Sequence, residues 1–243
     1  MSPAISVVVP VKNEAGNIAP LIAEIATALA GREFEIVYVD DGSTDATERE
    51  LRTLMARCPW LRQIRHEQSC GQSAAVRSGV MMARAGVVVT LDGDGQNDPA
   101  FIPALLSALE AGAPRIGLVA GQRTGRQATG FKKLQSRIAN AVRQAVLKDG
   151  TRDAGCGLKA FRRDLFLALP YFDGLHRFLP ALIRREGLDI GYVDVVDRPR
   201  RHGVSNYGFW DRLWIGIVDL AGVWWLVRRK KRIPKPEEIT LAH

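Results

Sequence analysis

The stretch Val87-Val-Val-Thr-Leu-Asp-Gly-Asp-Gly-Gln-Asn-Asp98 constrains this chain more than any other. It begins as a nearly continuous β-branched run, the pattern of a strand buried on both faces. It ends in Asp92-Gly93-Asp94, then Gly95-Gln96. If the backbone stays extended through Gly93, period-2 alternation puts Asp92 and Asp94 on one side of the strand end. Gly93 and Gly95 carry no side chain, so a phosphate or sugar can approach the backbone closely. Asp92, Asp94 and the amide oxygen of Gln96 suit a hard cation, Mg²⁺ or Mn²⁺, which keeps several waters and takes further ligands from substrate phosphates. The bland alternative is an acidic turn, since Asp-Gly is a common turn pair.

The rest of the chain weighs against the bland alternative. Ile5–Val11 is an apolar strand ended by Pro10 and the polar Lys12-Asn13-Glu14. Residues 17–30 carry Ile18, Leu21, Ile22, Ile25 and Leu29 at helical spacing, with Gly31 as a C-cap. Phe34–Val39 is a second strand, running into Asp40-Asp41-Gly42-Ser43-Thr44-Asp45. Asp45 with Glu48 three residues later predicts a capped helix to about Arg57. Leu61–Arg65 follows as a third strand and Ser73–Ala85 as a helix stopped by Gly86. Asp98-Pro99 marks another helix start, and Ile116–Ala120 another strand. Such alternation predicts an α/β fold with a doubly wound, mostly parallel sheet, whose ligands sit outside the carboxyl ends of the strands. Three acidic strand ends, Asn13-Glu14, Asp40-Asp41 and Asp92-Asp94, fall where that rule places a site.

Charge is unevenly placed. Of the net +8, residues 1–120 contribute −4 (10 basic, 14 acidic) and residues 121–152 contribute +7 (8 basic, 1 acidic). Residues 153–197 contribute −1 (6 basic, 7 acidic) and residues 198–243 contribute +6 (10 basic, 4 acidic). The excess is confined to two later segments, which points to an anionic partner met by one surface. Stacking-aromatic motifs and zinc-finger spacing are missing, so nucleic acid is not the expected partner. Cys58, Cys70 and Cys156 are scattered and odd in number, and read as free thiols. No charged n-region followed by an apolar run opens the chain, so no secretory signal is expected.

Val8-Val-Pro-Val-Lys-Asn-Glu14, Val39-Asp-Asp-Gly-Ser-Thr-Asp45 and Leu91-Asp-Gly-Asp-Gly-Gln-Asn-Asp-Pro99 resemble the ordered signatures of family 2 glycosyltransferases, in the nucleotide-sugar half of a GT-A fold. Asp153-Ala-Gly-Cys-Gly-Leu-Lys-Ala-Phe-Arg-Arg163 and Arg198-Pro-Arg-Arg-His-Gly-Val-Ser-Asn-Tyr207 resemble a narrower branch, the polyprenyl-phosphate (dolichyl-phosphate) sugar synthases. The similarity spans about residues 4–208 and implies a catalytic domain over 1–208, followed by an appendage over 209–243. It implies that Pro10, Val11, Asn13, Glu14, Asp40, Asp41 and Gln72 bind the donor nucleotide. Asp92 faces the ribose or sugar, and Asp94 and Gln96 hold the metal. Arg123, Lys159, Arg200 and Ser205 are assigned to phosphate or acceptor. It favours a UDP-sugar over a GDP-sugar as donor, a polyprenyl phosphate as acceptor, and inversion at the anomeric carbon. In two places the chain departs from the family: Asn206 stands where a Lys usually follows the Ser, and Gly71-Gln72-Ser73 lacks the cation of the Gly-Lys region. Arg77, Arg201 and His202 are the nearby basic groups that could compensate.

The chemistry also follows from elementary considerations. A phosphate-monoester acceptor is largely dianionic at neutral pH and needs no strong base, whereas a sugar hydroxyl normally does. Asp153 is the later carboxylate that could act as base, but a role in orienting Lys159 or Arg163 is favoured. His66, His176 and His243 show no triad or metal spacing and read as incidental. A soluble glycosyltransferase acting on a carbohydrate hydroxyl is the main rival. A processive polysaccharide synthase is disfavoured by the missing Gln-x-x-Arg-Trp and membrane spans.

Two segments point to a membrane surface. Phe131–Val146 reads as a basic amphipathic helix carrying Lys132, Lys133, Arg137 and Arg143. Phe209–Val227 holds Trp210, Trp214, Trp224 and Trp225, is interrupted by Asp219, and runs into Arg228-Arg-Lys-Lys-Arg232. Tryptophan favours the headgroup level and basic residues favour anionic lipid. The expectation is a helix lying in the interface of the cytoplasmic leaflet, because the uninterrupted apolar runs fall short of the roughly 20 residues a span requires.

Overall fold

The computed structural model describes residues 3–124, 141–151, 153–199 and 209–229, the side chains of 209–215 excepted. Seven strands form one sheet: β1 (Ile5–Val11), β2 (Phe34–Asp41), β3 (Leu61–His66), β4 (Val87–Thr90), β5 (Ile116–Arg123), β6 (Lys159–Arg162) and β7 (Asp189–Val195). Their order is β3-β2-β1-β4-β6-β5-β7. Strands β1 to β4 pair in parallel, as do β5 and β7, whereas β6 runs antiparallel between β4 and β5. The expected mixed α/β architecture with a mostly parallel sheet is what forms.

Strand β1 shows why the sheet sits where it does. Its alternation splits the apolar residues between two cores. Val7, Val9 and Val11 join a cluster with Ile18, Leu21, Ile22 and Ile25 of α1 (Ile18–Ala28) and Ile102, Leu105 and Leu109 of α4 (Ile102–Ala111). Val8 points the other way, into a cluster with Ala75, Val76 and Val80 of α3 (Gln72–Met82) and Leu175, Leu179 and Leu182 of α7 (Leu175–Arg185). Each fully buried Val, Leu or Ile contributes roughly 1.5–3 kcal/mol of transfer free energy, so a strand apolar on both faces takes the centre.

Local signals differ from expectation at element ends. Strand β4 stops at Thr90 and the chain turns at Gly93-Asp94. A turn, rather than strand alternation, therefore sets the relation of Asp92 to Asp94. In α2 (Thr47–Met55) the Asp45 carboxylate accepts the Thr47 N–H at 2.9 Å. Glu48 does not close a capping box; it pairs with Arg52 at 2.7 Å and also with Arg65. Asp98 accepts the Ala100 N–H at 2.9 Å and starts a 3₁₀ turn, Pro99–Phe101, leading into α4.

Antiparallel β6 has a consequence for the site. Because it runs against β4, its first residue lies beside the last of β4, Thr90 opposite Lys159. The loop before β6 is thereby delivered to the carboxyl edge of the parallel strands. A short helix, α6 (Arg163–Ala168), follows β6.

Residues 141–147 are helical (α5), while residues 125–140, most of the expected basic helix, lie outside the described set. Arg143, read from sequence as part of a basic surface, is buried, pairs with Asp149 at 2.5 Å and sits over the Phe178 ring. Its charge is neutralised inside the fold; Val142 and Val146 face outward instead. The last helix, α8 (Phe209–Arg228), packs Leu220, Val223 and Val227 against Leu147, Phe178 and Ala181. It leaves Ile217, Val218, Trp224 and Trp225 exposed. Among the described residues no helix is long and apolar enough to cross a membrane.

Candidate active site

At the carboxyl edge the end of β4 opens on a cavity of about 210 Å³, lined in part by Gln72, Asp92, Gly157, Lys159, His176 and Arg177. Asp92 is its central acid. Its backbone N–H donates to Asn97 Oδ1 at 3.0 Å, and its Oδ1 accepts from the Gln72 amide at 2.7 Å. A Cβ on Gly157 would lie 2.4 Å from Asp92 Oδ2, so the carboxylate occupies space that only glycine leaves open. Burial first, then the nearby Asp94 carboxylate, pushes the Asp92 carboxyl up to about 6, against the pull of Lys159, Arg123 and the Gln72 hydrogen bond. Lys159 is also buried, and burial holds its ammonium below its usual pKa; it donates to the Cys156 carbonyl. His176, in the first turn of α7, meets Ser73 Oγ through Nδ1 at 2.7 Å. Burial drives its pKa down to about 3, reinforced by Lys159 and Arg177, so it is neutral.

Arg123 ends β5 beside this cavity. Its guanidinium donates through two nitrogens to both oxygens of Asp153, one of these bonds at 2.8 Å, and to Asp197 at 3.2 Å. Hydrogen bonding to Asp153 raises its pKa more than desolvation lowers it. Burial pushes Asp153 upward, but Arg123, Gly155 and Lys159 outweigh this and hold the carboxyl below its usual range. Asp153 is therefore an ionised orienter, and the group it orients is Arg123 rather than Arg163, which donates to the Val80 and Met81 carbonyls.

At the end of β2 the two aspartates do different work. Asp40 accepts the Ser43 N–H at 2.8 Å and pairs with Arg65 at 3.2 Å. Asp41 accepts from Cys70 N–H at 2.8 Å, Gly71 N–H at 2.9 Å and Ser69 Oγ at 2.8 Å, and meets His66 Nδ1 at 2.7 Å. This anchors the loop that presents Gln72 to Asp92. Asn13 adopts φ 55° and accepts the Thr44 N–H at 2.8 Å through Oδ1, tying the β1 loop to the β2 loop.

Residues 6–169 match the family model "Glycosyl transferase family 2". The chain belongs to glycosyltransferase family 2. The dodecaprenyl-phosphate galacturonate synthase of Rhizobium johnstonii is 35% identical over 234 residues, 94% of this chain and 68% of that protein. The undecaprenyl-phosphate 4-deoxy-4-formamido-L-arabinose transferase of Edwardsiella ictaluri is 32% identical over 208 residues, 84% of this chain and 63% of that protein. The chain thus spans about two thirds of the length of these relatives. A solved structure of Mycobacterium tuberculosis glucosyl-3-phosphoglycerate synthase, holding Mg²⁺ and uridine diphosphate, superposes with TM-score 0.68 at 25% identity, over 93% of this chain and 79% of that one. Another of the same enzyme, with Mn²⁺, UDP-glucose and glycerol 3-phosphate, gives TM-score 0.69 at 25% identity, over 93% and 80%.

In this glycosyltransferase the acidic pair suits a divalent cation: Asp92 is desolvated and is repelled by Asp94. Asp94 Oδ1 accepts the Gln96 N–H at 3.0 Å, which sets the two side chains assigned to the metal on one tight turn. The two glycines of the turn differ in what surrounds them. Gly93 makes room for Val11, whose Cγ1 would lie 2.3 Å from an added Cβ, while Gly95, at φ 73°, faces open space. Pro10 lines the cavity and Val11 is buried beneath it. Glu14 is buried and accepts from the Asn17 amide at 2.7 Å. Arg200 and Ser205 lie outside the described residues. Arg198, two positions earlier, donates its N–H to the Gln96 carbonyl at 2.9 Å, so the chain leading to them runs against the Asp94–Gln96 turn.

Sequence reasoning missed three groups in the enzyme. His176 lines the cavity and His66 fastens the β2 loop; both had read as incidental. Asp197 braces Arg123 and Asn97. No local pattern marks them, because their partners are distant in the chain: Asp41 is 25 residues from His66, Ser73 is 103 from His176, and Arg123 is 74 from Asp197.

Proposed function

We propose that this enzyme transfers a sugar from a nucleoside diphosphate sugar to a polyprenyl phosphate, with inversion, at the cytoplasmic face of a membrane. The observation that carries the reading is the acidic Asp92–Asp94 edge opening onto a cavity that holds Lys159 and Arg177. Two signs of charge at one mouth suit a reaction between a metal-bound diphosphate and a phosphate nucleophile. Asp94 and Gln96 would hold Mg²⁺ or Mn²⁺, which when bound stabilises negative charge on the leaving diphosphate. Asn13, Glu14, Asp40 and Asp41 frame the side assigned to the nucleoside; the uridine diphosphate named in solved relatives favours a UDP-sugar.

An acceptor phosphate oxygen forms the new bond to the anomeric carbon from the face opposite the donor diphosphate. The bond from that carbon to the diphosphate oxygen breaks, and the nucleoside diphosphate departs with the electron pair. The acceptor dianion has no proton to lose, in keeping with an Asp153 whose two oxygens are both held by Arg123. On the membrane side, α8 exposes Trp224 and Trp225 with Arg228 and Arg229 over their rings. The division of the chain into a catalytic part over 1–208 and an interfacial part over 209–243 belongs to this proposal.

The test is a donor screen: each nucleotide sugar with Mn²⁺ or Mg²⁺ and undecaprenyl phosphate, with parallel arms holding undecaprenol or excess chelator. Transfer to the phosphate alone, abolished by chelator, is expected. Equal transfer to undecaprenol would favour a hydroxyl-acceptor enzyme, and full activity in chelator would remove the metal.

A further inference from the structure

The cavity has two basic side chains in its lining, and they are not equivalent. Lys159 is 3% exposed and donates to the Cys156 carbonyl, so its ammonium already serves the fold. Arg123, at the rim, is held by Asp153 and Asp197. Gln72 is uncharged and supplies an amide to Asp92. Arg177 is different. Its one ion-pair partner among the described residues is Asp219 of α8, at 3.7 Å, beyond hydrogen-bond distance. Its Nε is buried with no hydrogen-bond partner, and neither has Asp219 Oδ2 one.

Asp219 is the acid that interrupts the tryptophan-rich run, and its side chain is 15% exposed. An ion in that setting is costly unless a cation faces it. The fold makes room for the approach at Gly174, which sits at φ 89° and whose added Cβ would lie 2.6 Å from Asp219 Oδ2 and 3.4 Å from Arg177 Nη2. Any L side chain there would be strained and would separate the pair. A guanidinium 39% exposed, on a residue that lines the cavity and faced by one carboxylate beyond hydrogen-bond distance, has the form of a phosphate-binding group.

We propose that Arg177 binds the phosphate of the acceptor, and that Asp219 on α8 is its positioning residue. This rests on the acceptor reading above. It ties the orientation of that cation to the helix assigned to the membrane.

The test uses the full chain with UDP and Mn²⁺ present, titrated by calorimetry with farnesyl phosphate, and with farnesol as control. Arg177→Ala should weaken farnesyl phosphate about tenfold or more, as for loss of a charge-assisted contact, while UDP affinity stays within about twofold. Arg177→Lys should recover part of the loss. Asp219→Asn should weaken farnesyl phosphate less than Arg177→Ala, and the double variant no more than Arg177→Ala alone. In turnover, the Asp219 and Gly174→Ala variants should raise KM for undecaprenyl phosphate with kcat little changed. Unchanged farnesyl phosphate binding in Arg177→Ala, or a loss confined to UDP, would overturn the proposal. Transfer by the wild type to undecaprenol, with farnesyl phosphate binding still dependent on Arg177, would overturn the acceptor reading while upholding Arg177 as a phosphate-binding residue.

Discussion

Asp41 offers a sharp test of how the site is built, because its carboxylate accepts two backbone N–H groups and a hydroxyl and pairs with His66. Asp41→Ala removes all of these at once. Hydrogen bonds to an ionised group contribute roughly 1.5–3 kcal/mol each when measured singly. They act as one cluster, and the exposed Cys70 and half-buried Gly71 can turn to water, so the sum is not additive; a loss of about 2–4 kcal/mol is expected. For a chain of this size that corresponds to a fall in Tm of roughly 5–15 °C. The measurement is thermal unfolding by circular dichroism without nucleotide, checked by urea denaturation. The pH dependence has a definite sign. The Cys70, His66, Ser69 and Gly71 contacts overcome the upward push of burial and hold the Asp41 carboxyl below its ordinary value. Its contribution is therefore fully present above the unfolded pKa of about 3.9 and is lost as pH falls through the lower folded value. The deficit of the variant relative to wild type should accordingly shrink below about pH 4. A nucleotide-free Tm within about 1 °C of wild type would refute the reasoning and leave Asp41 as a ligand-contacting group only.

Other outcomes follow from the same geometry. Gly157→Ala should displace the Asp92 carboxylate, costing about 1–3 kcal/mol of stability as overpacking does and weakening UDP·Mn²⁺ binding; unchanged calorimetric affinity would contradict the steric assignment. His176 is held neutral, with a folded pKa of about 3, so the unfolded chain takes up its proton first as pH falls. Its part of the stability is complete above about pH 6.5 and declines by up to about 1.4 kcal/mol per unit below that. His176→Gln should flatten the fall between pH 6 and 4, and parallel curves would count against it. Trp224→Ser with Trp225→Ser should lower vesicle partitioning at all salt concentrations. Arg228→Gln with Arg229→Gln should lower it chiefly for anionic vesicles at low salt; cosedimentation indistinguishable from wild type would remove α8 from the membrane.

Much of this protein could be read along the chain because the information is local. The β-branched runs of β1 and β4 announce strands buried on both faces, and Asp98-Pro99 announces a helical start. Three acidic strand ends in a parallel sheet necessarily gather at one edge, since parallel strands all end on the same side. Even the membrane reading draws on a contiguous cluster of tryptophans and arginines.

What the chain order could not disclose depends on which distant segments meet. β6 is four residues long, and nothing in it states that it runs antiparallel between β4 and β5, yet that reversal brings Lys159 to the Asp92 edge. Asp41 looks like a ligand-binding acid by motif, but its oxygens are taken by residues of the next loop, 25–30 positions on. Arg143 counts as surface charge in any composition tally and is an internal ion pair in the fold. Asp219 reads as a break in an apolar run; packing of α8 on α7 turns it into the partner of Arg177. Periodicity and turn chemistry are set by neighbours in sequence, so the elements from β1 to β5 were legible in the sequence alone. The charge state and occupation of each polar group depend on burial and on partners from other elements, and only the tertiary structure decides those.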